Sequence, residues 1–375
     1  MRILHLSKFY PPDPGGLEHV VARLAEGAAA RGHEVRVVAA TGSAWRRDPG
    51  KRVTEPPRRG VVIVRLPTHG VVWSQPVAPG YIWAARWPAD VVYVHRPHPL
   101  ADLAALSVKS PLIILHHSDV QRQRALRMAY APLAHLVARR AVATVVASRA
   151  NLEHAEDLGP EGRAKARVIP FGVDEIRFSP KEGVTRPAAF PPPSQGAVAL
   201  FVGRLVSYKG LDVLLRAVTG TTLNVVVVGG GPERQRLEAE AARLGLGNRV
   251  VFAGEVDMDE LPRFYRAADY FVLPSTTPAE MFGVALLEAM ASGKPVLSTA
   301  LSTGVADVNV PDVTGLVVPP GDAAALRGAM ERLAGDGDLR RRMGEAGRKR
   351  VLAEFTLDKM IERHLALCEE VTRRG

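Results

Sequence analysis

The sequence predicts an α/β protein of two doubly wound, Rossmann-like parallel-sheet domains facing a central cleft, and three observations carry that expectation. Short runs of Val, Ile and Leu without polar alternation recur along the chain, the pattern of strands buried on both faces. Helical stretches separate them, as the crossovers of parallel strands require. A Pro-rich segment, PKEGVTRPAAFPPPSQG at residues 180–196, interrupts the alternation once, and such a segment is expected neither to pack nor to continue a helix.

The elements follow in order. RILHLS opens a first strand, and a helical pattern from near Leu17 to Arg31 stops at Gly32. EVRVVAA, VVIVRL, ADVVYVH, LIILHH, ATVVAS and ARVIP supply the other strands of a first domain at residues 1–179. After the 180–196 linker, AVALFVGRL, TLNVVVVGGG, RVVFAGEV, ADYFVLPS, KPVLSTA and TGLVVPP build a second domain at 197–356. A last helix within 357–375 is expected to pack back on the first domain. Ligands of such sheets bind beyond the carboxyl ends of the strands.

Composition bounds the function. Of 375 residues, 47% are apolar and 23% charged, an ordinary globular balance that excludes a disordered or fibrous chain. One cysteine, Cys368, rules out an internal disulfide and fits a reducing compartment. No apolar run reaches the roughly 18 residues of a membrane span, and MRILHLSKFYPP is too short in its apolar part for a signal peptide, so a cytoplasmic location is expected. The net charge of +10 lies wholly in the first half: residues 1–179 carry 25 Lys and Arg against 15 Asp and Glu, the remainder 24 of each. That asymmetry points to an anionic partner or to the codon bias of a GC-rich genome.

TPAEMFGVALLEAMASGKPV, residues 277–296, carries two carboxylates in an otherwise apolar stretch, Glu280 and Glu288. Gly283–Met290 reads as a buried helix with Glu280 near its free amides and Glu288 two turns in. At 1.5 Å per residue the two stand roughly 12 Å apart, too far for the paired carboxylates of a glycosidase. Each needs its own partner, since a lone buried carboxylate costs several kcal/mol. Hydroxyls of one elongated ligand would serve, as would a cap for Glu280 and an internal Arg or Lys for Glu288. In FVGRLVSYKGLDVLL, Gly203 opens a strand-to-helix loop that carries Arg204 and Lys209, a guanidinium and an ammonium suited to a diphosphate.

Together these residues resemble the retaining glycosyltransferases of family 4, with the two-domain GT-B fold. YPPDPGGLEHVVARLAEGAAARGHEVRVV, VIPFGVD, GRLVSYKG, VVGGGPERQRLE, ELPRFYRAADYFVLPS, the E-x7-E segment and VTGLVVPPGD occur in the order the family has them, across nearly the whole chain. The resemblance implies that Arg204 and Lys209 hold the diphosphate, that Glu288 accepts from ribose hydroxyls and that Glu280 binds the transferred sugar. It further implies that amides of Met281, Phe282, Gly283 and Val284 face the sugar or β-phosphate and that Gly15 and Gly16 let backbone approach the phosphates. The segment Phe252–Asp257, with Gly254 and Val256, would hold the base, and His117 would stand beside the donor sugar. STGVADVN departs from the family's usual Pro-Glu with Ala306-Asp307.

The implied reaction is a retaining transfer of mannose, glucose, rhamnose or an N-acetylhexosamine from a UDP- or GDP-sugar, by a front-face route in which the departing phosphate takes the acceptor proton. No metal or other cofactor is expected. The acceptor is expected to be a saccharide, lipid-linked, in polysaccharide or lipopolysaccharide assembly. The basic, apolar stretch Asp119–Arg140 and the loop WRRDPGKRVTEPPRRG would attract an anionic membrane at about 1 kcal/mol per cation; a small soluble acceptor is the alternative. Rival motifs are weaker. GGGP lacks the third glycine of a dinucleotide fingerprint, Asp257-Met258-Asp259 reads as a helix-capping stretch more than a metal site, and no Cys/His set has zinc spacing. An epimerase of nucleotide sugars shares the architecture but would need no acceptor. Nucleic-acid binding is disfavoured by aromatics at only 6%, not interleaved with the basic runs. Of the other histidines, His5, His19, His33, His69, His95, His98 and His116 are expected to be mostly packing or surface residues.

Overall fold

Two parallel sheets form the two units of the chain. The structure is a computed structural model that describes residues 1–12, 16–42, 48, 50–72, 75–117, 124–181, 183 and 185–373, with the side chains of residues 124–127 and 193 outside that description. One unit comprises Met1–Phe171 and Asp358–Gly375, the other Gly172–Leu357.

The first unit contains β1 (Arg2–Leu6), β2 (Glu34–Ala40), β3 (Val53–Thr54), β4 (Val61–Leu66), a small hairpin of β5 (Gly70–Val72) and β6 (Gln75–Val77), and β7 (Val91–Arg96), β8 (Leu112–His116), β9 (Ala143–Val146) and β10 (Ala166–Val168). Its large sheet runs β10-β9-β8-β7-β1-β2-β4-β3, parallel throughout except for β3, which lies antiparallel on β4. Every residue of β7, β8 and β9 is buried, which is why these strands read as unbroken apolar runs. The chain adds strands on one side of β1 and then returns to its other side with β7. That reversal opens the crevice in which ligands of doubly wound sheets sit.

The last helix, Leu357–Arg373, belongs to this unit from Asp358 onward. Its Ile361 fills the space beside Gly27, where a Cβ would stand 2.1 Å from Ile361 Cδ1, and Arg31 reaches Asp358 at 2.7 Å. A buried ion pair, Arg96 Nε to Asp102 Oδ1 at 2.9 Å, ties β7 to the helix Pro99–Ala105, and Arg96 also donates to the Ala134 carbonyl at 2.8 Å.

The second unit contains β11 (Val198–Val202), β12 (Asn224–Val228), β13 (Val250–Gly254), β14 (Tyr270–Leu273), β15 (Val296–Thr299) and β16 (Gly315–Val318). They pair in parallel in the order β13-β12-β11-β14-β15-β16. The chain switches sides between β11 and β14, so the loops after these adjacent strands lie together at the sheet's carboxyl edge.

The division between units falls at Gly172, ahead of the Pro-rich segment. Val173 donates to Phe355 O at 2.9 Å and accepts from Leu357 N at 2.8 Å, while Phe178 lies edge-on to Tyr265 at 5.5 Å. Contrary to the expectation that residues 180–196 cannot pack, Phe190 is buried against Phe264 and the Gln195 carbonyl accepts from Asn224 at 2.8 Å. One aromatic side chain suffices to dock a segment that forms almost no regular structure of its own.

Candidate functional site

In the second unit the switch point gathers the charged residues. Lys209 closes the loop after β11, and Glu280 lies in the loop after β14. Because β11 and β14 are neighbours, the two meet: Lys209 Nζ donates to Glu280 Oε2 at 2.5 Å. Ser275 Oγ donates to the same oxygen at 2.9 Å, and Thr303 Oγ1 donates to the Glu280 carbonyl at 2.7 Å. Only 12% of the Lys209 side chain and 9% of the Glu280 side chain are exposed. Burial works against the Lys209 charge, but the Glu280 carboxylate beside it, with a smaller contribution from Tyr208, offsets this and its pKa is raised.

Backbone geometry brings the loops this close. Gly210, with φ 69°, begins the helix Leu211–Val218, and a Cβ there would stand 2.0 Å from the Pro274 carbonyl oxygen. Only glycine fits both the left-handed conformation and that approach. At Gly229 a Cβ would fall 2.0 Å from Gly203 O, while Gly229 N donates to Gly254 O at 2.7 Å. The ends of β11, β12 and β13 are thereby held together through Gly203, Gly229 and Gly254. Gly203 also faces the cation: a Cβ on it would be 3.6 Å from Lys209 Nζ. Arg204, on the same loop, is exposed, and Val256 is half-buried in the turn that follows β13.

The helix after the second acidic position spans Val284–Ala291, capped by Gly283 at φ 76°. Glu280 therefore precedes the helix in a turn, and the axial rise that set the expected 12 Å spacing does not apply to it. Phe282 and Gly283 are buried, whereas Met281, Val284 and Ala285 are partly open. Within the helix, Val284, Ala285 and Glu288 follow the i, i+1, i+4 spacing of one face, while Met281 lies ahead of it. Glu288 is 8% exposed and takes a hydrogen bond from Tyr265 Oη at 2.7 Å. A phenol is thus one of its partners, a residue type the sequence reading had not proposed. Burial and the adjacent carboxylate push the Tyr265 pKa well up, so the phenol remains a donor. Tyr265 and Thr303 were not legible as partners, since each lies on a different element from the carboxylate it serves; Ser275 shares the loop of Glu280, but an irregular loop has no period from which to read the contact. Asp257 and Asp259 are both exposed; Asp259 pairs with Arg177 at 2.8 Å, and the following helix is capped by Glu260 without a side-chain bond. The capping expected of that stretch is absent because the chain turns before either carboxylate reaches the helix amides.

In the first unit, His117 follows β8 and donates its amide to Arg96 O at 3.2 Å. Its ring is 5% exposed, with Nε2 at 3.1 Å from His95 Nδ1, and His95 Nε2 is 3.0 Å from His5 Nδ1. His5, His95, His98 and His116 are all buried, the packing role among the two expected, and sequence periodicity had no means of showing that His5 and His95 meet. Gly16 starts the helix Gly16–Ala30 and is exposed, while Gly15 lies outside the described residues, as do Ser118 and Asp119. Of the basic residues in Asp119–Arg140, Arg140 is turned inward to the Val108 carbonyl and Arg139 stands 3.7 Å from Glu161.

Family models match both units: Glycosyltransferase Family 4 over residues 14–177 and Glycosyl transferases group 1 over residues 186–350. The D-rhamnosyltransferase WbpZ of Pseudomonas aeruginosa is 35% identical over 95% of this chain and 92% of its own length. The chain belongs to glycosyltransferase family 4. The O-antigen chain mannosyltransferase C of Escherichia coli is 31% identical over 98% of both chains. Among solved structures, sucrose-phosphate synthase of Thermosynechococcus elongatus superposes on this glycosyltransferase with a TM-score of 0.84 at 25% identity, covering 100% of both chains. HepE of Anabaena, solved with UDP and glucose, shares the fold at a TM-score of 0.77 and 19% identity, over 99% of this chain and 100% of its own. The transferase thus has the GT-B fold.

Proposed function

We propose that this glycosyltransferase moves a mannosyl or D-rhamnosyl group, with retention, from a UDP- or GDP-sugar to a saccharide acceptor in cell-surface polysaccharide assembly. The observation that carries the reading is the Lys209–Glu280 pair at the β11/β14 switch point, with Arg204 on the same loop and Glu288 on the helix that follows. Arg204 and Lys209 neutralise the diphosphate and the charge that develops on the departing nucleotide. Glu280 meets hydroxyls of the sugar, Glu288 those of the ribose, and amides of Met281 to Val284 face the β-phosphate side. Gly254 and Val256 hold the base through main chain, Gly15 and Gly16 admit the phosphates, and His117 meets the donor sugar. The two relatives described above carry the names of a rhamnosyl- and a mannosyltransferase, and these D-sugars differ only at C6; this supports a manno-configured group.

Glu280 is engaged by Lys209 and Ser275, which supports a charge-stabilising carboxylate more than a covalent nucleophile. The departing phosphate then takes the acceptor proton, and the protein supplies position and charge. With two cations on the diphosphate, transfer needs no divalent ion. A lipid-linked acceptor on the cytoplasmic face of the membrane fits the first unit's surface. Trp83, Leu103, Met128 and Leu136, exposed by 60, 45, 68 and 49%, stand on the helices Tyr81–Ala84, Pro99–Ala105 and Arg124–Arg140. Among the described residues no helix is long and apolar enough to cross a membrane.

Calorimetric titration with UDP, GDP and their sugars in EDTA tests the donor side. Binding of one nucleotide series, weakened by Glu288→Gln, is expected; no binding of any nucleotide by folded protein defeats the reading. The anomeric configuration of the product, read by proton NMR, tests retention. Co-sedimentation with anionic vesicles, lost on Trp83→Ser with Met128→Ser, tests the membrane surface.

A further inference from the structure

His5 on β1, His95 on β7 and His117 just after β8 form one hydrogen-bonded chain across the first unit's switch point. The rings of His95 and His117 are tilted by only 14°, with centroids 5.4 Å apart, so the 3.1 Å contact between their nitrogens lies near the ring planes. Tyr93 stacks on His5 at 4.9 Å and 11°, and its hydroxyl lies 3.3 Å from His364 Nδ1. Both ends of the chain are buried without a hydrogen-bond partner among the described residues: Nε2 of His5 and Nδ1 of His117.

A neutral imidazole carries one N–H and one lone pair. Three neutral rings joined by two bonds can therefore satisfy both bonds in only two ways. In one, every ring holds its proton on Nδ1, so His5 donates to His95, His95 donates to His117, and His117 presents an N–H at its outer nitrogen. In the other, every ring holds its proton on Nε2, the donors reverse, and His117 presents a lone pair. Any mixture sets two N–H groups or two lone pairs against each other and loses a bond.

We propose that His5 and His95 are positioning residues for His117: the chain compels the three rings to share one tautomer, and thereby sets whether His117 Nδ1 donates to or accepts from a sugar hydroxyl. The proposal rests on the reading that His117 meets the donor sugar. Burial keeps the rings uncharged, lowering His5 and His117 to about 3 and holding His95 well below its ordinary value. His116, Lys8 and His364 add to the effect at His117, and His5, His117, His364 and His98 at His95.

Long-range 1H–15N spectra of the 15N-histidine-labelled wild-type protein at pH 7.5 read each tautomer directly and need no variant. The three rings are expected to be neutral and alike, all protonated on Nδ1 or all on Nε2; one ring unlike its neighbour, or charged, overturns the chain. In turnover, His95→Phe is expected to lower kcat/KM for the donor sugar about tenfold, the effect of roughly one buried hydrogen bond, while affinity for the free nucleotide holds. His95→Gln, which retains a donor and an acceptor, is expected to recover most of the loss. Undiminished kcat/KM in His95→Phe, where His117→Ala is impaired, reduces His5 and His95 to packing and overturns the proposal. Undiminished kcat/KM in His117→Ala defeats the sugar contact on which the proposal rests, whatever the spectra show.

Discussion

Lys209→Met tests the switch-point pair most directly. It removes the ammonium 2.5 Å from Glu280 and leaves a carboxylate that is 7% exposed with the Ser275 hydroxyl at 2.9 Å. Removing one partner of a buried pair costs about 3–5 kcal/mol, because the remaining charge has lost its compensation. Lys209 retains some solvent contact, so the lower end, about 3 kcal/mol, applies. In a unit the size of Gly172–Leu357 each kcal/mol shifts Tm by about 2–4 °C, which gives a fall of about 6–12 °C. Lys209→Met with Glu280→Gln removes both charges and is expected to restore most of that fall. Turnover is expected to stay about 10²- to 10³-fold down in both proteins, since the cation proposed to stabilise the departing phosphate is gone. Thermal unfolding and donor turnover of the three proteins decide it. A single variant within about 0.5 kcal/mol of the wild type, or a double variant no more stable than the single, refutes the argument, because a surface-like pair behaves that way.

Tyr265→Phe deletes the hydroxyl that donates to Glu288 Oε2 at 2.7 Å; it is expected to weaken nucleotide binding about tenfold and to cost about 1.5–3 kcal/mol of stability, the worth of a hydrogen bond to a charged group. Titration calorimetry and urea unfolding check the two effects. Acid is expected to destabilise the first unit selectively. Burial lowers His5, His98, His117 and His364 to about 3 against 6.5 when unfolded. The unfolded chain therefore binds more protons between these values, and the stability present above pH 6.5 is lost as pH falls toward 3, by up to about 1.4 kcal/mol per histidine per pH unit. Urea midpoints from pH 7.5 to 5 measure it; a flat profile over that range shows that these rings are not held neutral.

Much of the site was readable because its signals are local. A buried strand reads as Val and Ile without alternation, a strand-to-helix turn as Gly with flanking charge, and the E-x7-E segment as carboxylates in an apolar helix. Arg204, Lys209, Glu280 and Glu288 could be singled out that way. Their partners could not. Tyr265 and Glu288 are 23 residues apart, and Lys209 and Glu280 71 apart, and no periodicity couples residues on separate elements. The roughly 12 Å figure applied the helical rise across Gly283, whose left-handed backbone precedes the helix.

The sequence by itself determined the fold class, the two large parallel sheets and the side chains able to carry charge at a phosphate. These follow from hydrophobic period, Gly and Pro placement and residue chemistry, which are properties of short segments. Only the tertiary structure decided that β11 adjoins β14 and β1 adjoins β7, because strand order depends on which buried faces pack together over the whole chain. From that order come the pairing of Lys209 with Glu280 and the alignment of His5, His95 and His117, contacts between residues that share nothing but a sheet edge.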